Sequence, residues 1–171
     1  MPYTILAVDD EPANLRMIER LLRKDYRVLT ATSGEEALEL LGHNSVDLII
    51  TDQRMPGMSG TELLRASLQT NPDATRIILT GFTDIEALIE AINTSQVFQF
   101  VSKPWEPLHL RSVIDRALNE HQKQLDTKNF VGQLMNLVQS YPSLFIGEGD
   151  QFPTAADEAT EALYEQKQNR G

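Results

Sequence analysis

Short apolar runs alternate along this chain with longer stretches in which apolar residues recur every three or four positions. Together the two periods predict five strand-helix units. The first is strand Tyr3–Val8, then a helix from about Pro12 to Lys24 with Leu15, Ile18, Leu21 and Leu22 on one stripe. Strand Arg27–Ala31 leads to Ser33, an N-cap residue with Glu36 three positions on, and the helix it opens is expected to stop at Gly42. Strand Asp47–Thr51 is followed by the turn-rich loop Met55–Gly60 and a helix to about Thr70 carrying Leu63, Leu64 and Leu68, closed by Asn71-Pro72. Strand Arg76–Thr80, helix Ile85–Asn93, strand Val97–Val101 and a last helix from about Pro107 complete the series.

The runs Leu48-Ile49-Ile50 and Ile77-Ile78-Leu79 are continuously apolar rather than alternating, the mark of central parallel strands covered on both faces. Right-handed crossovers then place helices on both sides of one open sheet, a doubly wound α/β domain over roughly residues 3–121. Beyond it, Leu125, Val131, Leu134, Met135 and Val138 suit a prolonged final helix. Glu120, Gln124, Thr127 and Lys128 break the heptad, which predicts a modest helical linker instead of a long coiled coil, ended by Tyr141-Pro142-Ser143. Thr154 and Asp157 suit the cap of a short acidic helix to about Gln168. The chain is thus divided into 1–121 and 122–171, the second part being a helical linker and acidic tail, or the first stretch of an output region.

Composition narrows the function. With 41% hydrophobic and 23% charged residues the 171-residue chain suits one ordinary domain plus an appendage. A formal net charge of -10 argues against a direct nucleic-acid footprint, which would appear as a basic stripe. There is no cysteine, hence no disulfide framework and no thiolate zinc site. The amino terminus carries no basic leader, and no apolar stretch approaches the roughly 18 to 20 residues that span a bilayer, so a soluble cytoplasmic protein is expected.

Chemistry gathers where the strands end. Asp9 and Asp10 follow the first, Asp52 the third, Thr80 ends the fourth and Lys103-Pro104 follows the fifth; in a parallel sheet all of them reach the carboxyl edge, where open α/β sheets place their sites. Asp9, Asp10 and Asp52 make an oxygen-only site suited to a hard cation such as Mg2+, which accepts a few carboxylates, water and a phosphate oxygen. Three such groups repel, so without a cation at least one pKa should rise. A carboxylate beside a metal can receive a phosphoryl group, with Lys103 as a second positive charge and the Thr80 hydroxyl as a donor. Proline after Lys103 favours a cis bond that aims the lysine inward.

In this order the motifs resemble the receiver domain of two-component response regulators: Val8-Asp9-Asp10-Glu11-Pro12, Thr51-Asp52-Gln53-Arg54-Met55-Pro56-Gly57, Thr80-Gly81 and Lys103-Pro104. The resemblance covers about the first 121 residues and implies a flavodoxin-like sheet of order 2-1-3-4-5. It also implies that Asp52 is phosphorylated by a sensor histidine kinase or phosphotransfer protein. Asp10, Asp52 and the backbone carbonyl of Arg54 would bind Mg2+, with Asp9 assisting through water. Thr80 and Lys103 would contact the phosphoryl group, and Phe100 would be the switch aromatic. The signal would pass to the face made by the helix at 85–93, the fifth strand and the last helix, which in receivers docks partners or forms homodimers, and to the C-terminal helix.

Arg54 and Phe82, two residues beyond Asp52 and Thr80, flank the path of hydrolytic water in receivers and are expected to prolong the life of the phosphoryl group. Trp105, with Gln53-Arg54, looks like receivers placed ahead of larger signalling modules, including enzymes of cyclic-nucleotide signalling; it equally suits a cover over the start of the last helix. No output module is legible: there is no basic recognition helix, phosphate loop or His-rich cluster. Catalysis is expected to go no further than the receiver's own Mg-dependent phosphorylation and dephosphorylation. Two other readings stand beside it, an adaptor independent of phosphorylation and a small-molecule phosphatase, the latter lacking the D-x-D spacing after the first strand.

Overall fold

The computed structural model describes residues 2–81 and 96–141. The strands are β1 (Thr4–Val8), β2 (Arg27–Ala31), β3 (Leu48–Asp52), β4 (Thr75–Thr80) and β5 (Gln99–Ser102). The helices are α1 (Pro12–Leu22), α2 (Gly34–His43), α3 (Gly60–Ser67) and a long C-terminal helix, Pro107–Ser140. The five strands are parallel in the order β2-β1-β3-β4-β5, the order that the receiver resemblance implies. Predicted helix 85–93 lies outside the described residues, as do Phe82 and the tail positions Thr154, Asp157 and Gln168.

Successive side chains of a strand point to opposite faces, and both faces are buried here. Ile5, Ala7, Ile50, Ile77 and Leu79 pack against Leu15, Ile18 and Leu22 of α1 and Leu110, Val113, Ile114 and Ala117 of the long helix. Leu6, Val8, Ile49 and Ile78 pack against Ala37 and Leu41 of α2 and Leu63 and Leu64 of α3. Burial on two faces explains why the central strands carry no polar alternation.

Helix ends correct two sequence expectations. The Ser33 hydroxyl does accept the Glu36 N–H at 3.1 Å. Gly42, however, lies inside α2 and stops nothing; the helix runs to His43, and Asn44 closes it by donating its side-chain amide to the Leu40 carbonyl at 2.9 Å. In α3, Leu68 falls just past the end. There the buried Ser67 hydroxyl donates to the Leu64 carbonyl at 2.7 Å and its oxygen accepts from Arg76 Nε at 3.0 Å, so the side chain competes with the next helical bond.

The final helix is continuous over 34 residues, longer than a modest linker. One face of its first turns, Leu110, Val113, Ile114, Ala117 and Leu118, is buried as far as His121, whose ring nitrogens lie 3.0 Å from the Asp73 carbonyl oxygen and 3.2 Å from Asp47 Oδ1. Residues 1–126 form one compact unit and residues 127–171 a second. Phe130, Val131, Leu134, Met135 and Leu137 are exposed.

Candidate functional site

The parallel register brings the ends of β1, β3, β4 and β5 to one edge, because Val8 pairs with Thr51, Asp52 with Leu79 and Thr80 with Ser102. Asp9, fully buried, follows β1 directly. Its Oδ1 accepts the Glu11 N–H at 2.9 Å, and Asn14 on the first turn of α1 donates its amide to both carboxylate oxygens, at 3.1 and 3.0 Å. Asp52 closes β3; Oδ2 accepts the Arg54 N–H at 3.1 Å, and its main-chain carbonyl accepts the Thr51 hydroxyl at 2.9 Å. Lys103, after β5, joins the two: its ammonium lies 2.6 Å from Asp52 Oδ1 and 3.2 Å from Asp9 Oδ2. The Lys103-Pro104 peptide is cis, and the Lys103 N–H donates to the Thr80 carbonyl at 2.8 Å.

Asp9, Asp52 and Lys103 are therefore assembled as one ion-paired cluster. Asp10 is exposed at the rim, as is Arg54. Thr80 is buried at the same sheet edge, and its hydroxyl donates to the Gly81 carbonyl at 3.0 Å. Phe100 is half-buried and packs on the α2/α3 side of the sheet. Trp105 packs against the opposite core, which favours its reading as a cover over the start of the last helix.

Burial pushes the Asp52 carboxyl upward, and the neighbouring Asp9 charge adds to this; the hydrogen bond and charge of Lys103 pull the other way without cancelling it. The upward shift agrees with the sequence expectation, but its main cause is burial rather than repulsion. Burial alone would lower the Lys103 ammonium; the hydrogen bond and charge of Asp52, then those of Asp9, outweigh it and leave the net shift upward.

A raised Asp52 pKa means that the folded state holds this proton more tightly than the unfolded state does. Its contribution to stability is full below about pH 4 and is lost as pH rises through the folded value. Asp52→Asn should therefore gain stability relative to the unmodified protein as metal-free samples are taken from about pH 4 to 7. Urea denaturation across that range checks it; a difference that moves the opposite way would place the anion in a better-solvated site.

The donor chemistry fits a hard cation. Among the described residues no three His, Cys, Asp or Glu side chains are grouped to hold an ion. Magnesium, however, commonly takes one or two carboxylates with water and phosphate, and two buried carboxylates here share one ammonium.

The family model of the response regulator receiver domain matches residues 5–115. The chain belongs to the response regulator receiver family. Among its relatives, a hydrogenase transcriptional regulatory protein, HoxA of Cupriavidus necator, is 38% identical over 123 residues, 72% of this chain and 26% of that protein. The transcriptional regulatory protein GlrR of Escherichia coli is 36% identical over 128 residues, 74% of this chain and 29% of that one. The receiver thus spans about a quarter of the length of the curated relatives it matches.

Two solved structures resemble it closely. A response regulator receiver domain protein from Clostridium thermocellum is 37% identical with TM-score 0.65, covering 72% of this chain and 98% of that one. A structure described as adenylate cyclase from Rhodopirellula baltica is 31% identical with TM-score 0.73, covering 77% and 98%.

Sequence reasoning missed two polar residues of the receiver site. Asn14 lies five positions past Asp9, and only the entry angle of α1 turns it back onto the carboxylate. Gln53 stands in the acceptor motif with no bonding role legible there, yet it is buried and bonded at both ends of its amide.

Proposed function

We propose that Asp52 accepts a phosphoryl group from a histidine of a sensor kinase or phosphotransfer protein, and that the modified receiver switches conformation to control an output. The observation that carries this reading is the Lys103 ammonium, 2.6 Å from Asp52 and 3.2 Å from Asp9 at the carboxyl edge of the sheet. In the transfer, a carboxylate oxygen of Asp52 forms the new bond to phosphorus while the phosphorus–nitrogen bond of the donor imidazole breaks, and the imidazole leaves with the electron pair. Asp9, Asp10, Asp52 and the Arg54 carbonyl would hold Mg2+, which when bound screens the charge of the incoming phosphate. Asn14 and the Glu11 N–H keep Asp9 oriented, and the Arg54 N–H keeps Asp52 from rotating.

The switch follows from exchange of partners. Phosphorylation adds about 1.5 to 2 negative charges. Charge-assisted bonds from Thr80 and Lys103 would contribute roughly 1.5 to 3 kcal/mol each, against about 5.5 needed to invert a 1:99 population. Lys103 already has carboxylate partners and the Thr80 hydroxyl already donates to Gly81, so both trade one acceptor for another. The sum of about 3 to 6 kcal/mol is accordingly an upper bound. Half-buried Phe100 has no hydroxyl to satisfy, so packing alone would stabilise an inward position.

The output lies on a partner or on further chain, as in the longer transcriptional regulators that match. Phe130, Leu134 and Leu137 favour a homodimer through the C-terminal helix: they are exposed, on a stretch from Asn129 to Ser140 with no charged residue to repel a second copy of this acidic chain. Among the described residues no helix is long and apolar enough to cross a membrane, and a cytoplasmic receiver acting without direct nucleic-acid contact fits the charge balance.

Incubation with Mg2+ and a small phosphodonor, followed by intact mass, tests the assignment. One added phosphoryl group is expected on the unmodified chain and none on Asp52→Asn. Sustained turnover of an aryl phosphate would point to the phosphatase instead, and activity of Asp52→Asn on a partner equal to that of the phosphorylated chain would point to the adaptor.

A further inference from the structure

Gln53 sits between the acceptor Asp52 and Arg54, and one residue, Thr61, occupies both ends of its buried amide. Nε2 donates to Thr61 Oγ1 at 3.2 Å, and Oε1 accepts the Thr61 N–H at 3.2 Å. Its main chain is held as well: the Gln53 N–H donates to the Leu79 carbonyl of β4 at 2.9 Å, and its carbonyl accepts the Gly60 N–H at 3.1 Å. A single residue thus ties β3, β4 and the first turn of α3 together and closes the loop 53–60 at its base.

The anchor at the far end is itself firm. Ser59 and Glu62 form a reciprocal capping box, and Ser59 Oγ lies 3.2 Å from Thr61 Oγ1. Gly60 lets α3 press on the acceptor strand, since a Cβ there would stand 2.3 Å from the Asp52 carbonyl oxygen. The first helical amides have no intrahelical partner, and the Thr61 N–H finds one in Gln53. Three consecutive residues then share one fixed backbone: Asp52 with its carboxylate, Gln53 with its four anchors, and Arg54, whose N–H holds Asp52 Oδ2 and whose carbonyl is a candidate cation ligand.

We propose that Gln53 is a positioning residue of the phosphoacceptor site, its amide clamped on Thr61 so that the Asp52 carboxylate and the Arg54 carbonyl meet one divalent cation. This rests on the reading of Asp52 as a metal-assisted acceptor. A residue that only holds the fold together contributes stability and leaves the cation affinity of the folded protein alone. A positioning residue changes that affinity although it touches neither the cation nor the phosphate.

Calorimetric titration with Mg2+ alone separates the two, using the full chain and its Asp52→Asn, Gln53→Met, Thr61→Val and Thr61→Ser variants. Thermal unfolding in EDTA and hydrogen exchange of the residue-61 amide are followed alongside. Gln53→Met, similar in length but unable to bond Thr61, should exchange that amide faster and bind Mg2+ about tenfold more weakly, the usual loss when an outer partner of a metal site is removed. Thr61→Val, which deletes one of the two bonds, should fall between, and Thr61→Ser, which keeps both, should match the unmodified protein.

Gln53→Met with faster exchange and unchanged Mg2+ affinity overturns the proposal. If that variant does not fold, Thr61→Val decides: weaker binding supports the clamp and unchanged binding overturns it. Failure of the unmodified protein to bind Mg2+, or undiminished binding by Asp52→Asn, removes the acceptor reading and this inference together. Normal binding by the unmodified protein with no response to the clamp variants removes this inference alone.

Discussion

Replacing Lys103 with methionine is expected to cost roughly 2 to 3 kcal/mol of stability in metal-free buffer at neutral pH, most of it recovered on adding Mg2+. The ammonium is the cation shared by Asp9 and Asp52, and its removal leaves two carboxylates together with nothing of opposite sign between them. Breaking a fully buried pair costs about 3 to 5 kcal/mol; Lys103 is 28% exposed, and solvent screening lowers the figure. A cation bound at a hundred times its dissociation constant returns about 2.7 kcal/mol, the size of the deficit. Phosphorylation by a small donor should also slow by about 10- to 100-fold, one charge-assisted contact being worth about 1.5 to 3 kcal/mol. Urea denaturation in EDTA and in Mg2+, with phosphorylation followed by intact mass, measures both effects. Equal stability in EDTA would mean that the lysine neutralises nothing in the resting protein.

Arg76→Met is expected to destabilise the fold by about 3 to 5 kcal/mol while leaving the phosphorylation rate within a few-fold of normal. Arg76 is the second residue of β4 and 1% exposed, and burial pushes its guanidinium down to about 10. It donates Nε to the Ser67 hydroxyl at 3.0 Å, Nη2 to the Asn71 carbonyl at 2.7 Å and Nη1 to the Ala74 carbonyl. Methionine fills much of the space with no donor, so the Ala74 and Pro72 carbonyls lose the guanidinium and the Asn71 carbonyl is left with the Ala74 N–H. Thr80, at the functional edge, is four residues along the strand, about 13 Å away. Denaturation midpoints and phosphorylation rates of the same sample separate the two ends of β4. Parallel loss of both would mean that the α3–β4 loop communicates with the acceptor.

The fold was legible because the two hydrophobic periods differ and each element obeys only one. The continuous runs Leu48-Ile49-Ile50 and Ile77-Ile78-Leu79 announced strands covered on both faces, and they are the central strands. Helix ends were less legible, because competing side chains settle them. A glycine at position 42 looked like a stop, but the amide of Asn44 two residues later makes the closing bond, and Ser67 ends α3 before Leu68 by turning its hydroxyl onto Leu64.

The acidic and basic members of the site were legible for a topological reason, since parallel strands deliver their last residues to one edge. Asp9, Asp52 and Lys103 meet there. Asn14, Gln53 and Arg76 were not, because a polar residue declares a structural role only through a partner distant in the chain. Asn14 turns back on Asp9, Gln53 spans eight residues to Thr61, and Arg76 reaches nine residues back to Ser67. Periodicity carries no trace of such pairings.

Borohydride trapping after brief exposure to Mg2+ and phosphodonor tests the acceptor most directly, because hydride reduces an acyl phosphate to the alcohol and leaves homoserine where the aspartate stood. Peptide mapping should find homoserine at position 52 and nowhere else, and only when both metal and donor were present. Homoserine at position 9 or 10, or the same yield from Asp52→Asn, would contradict the account.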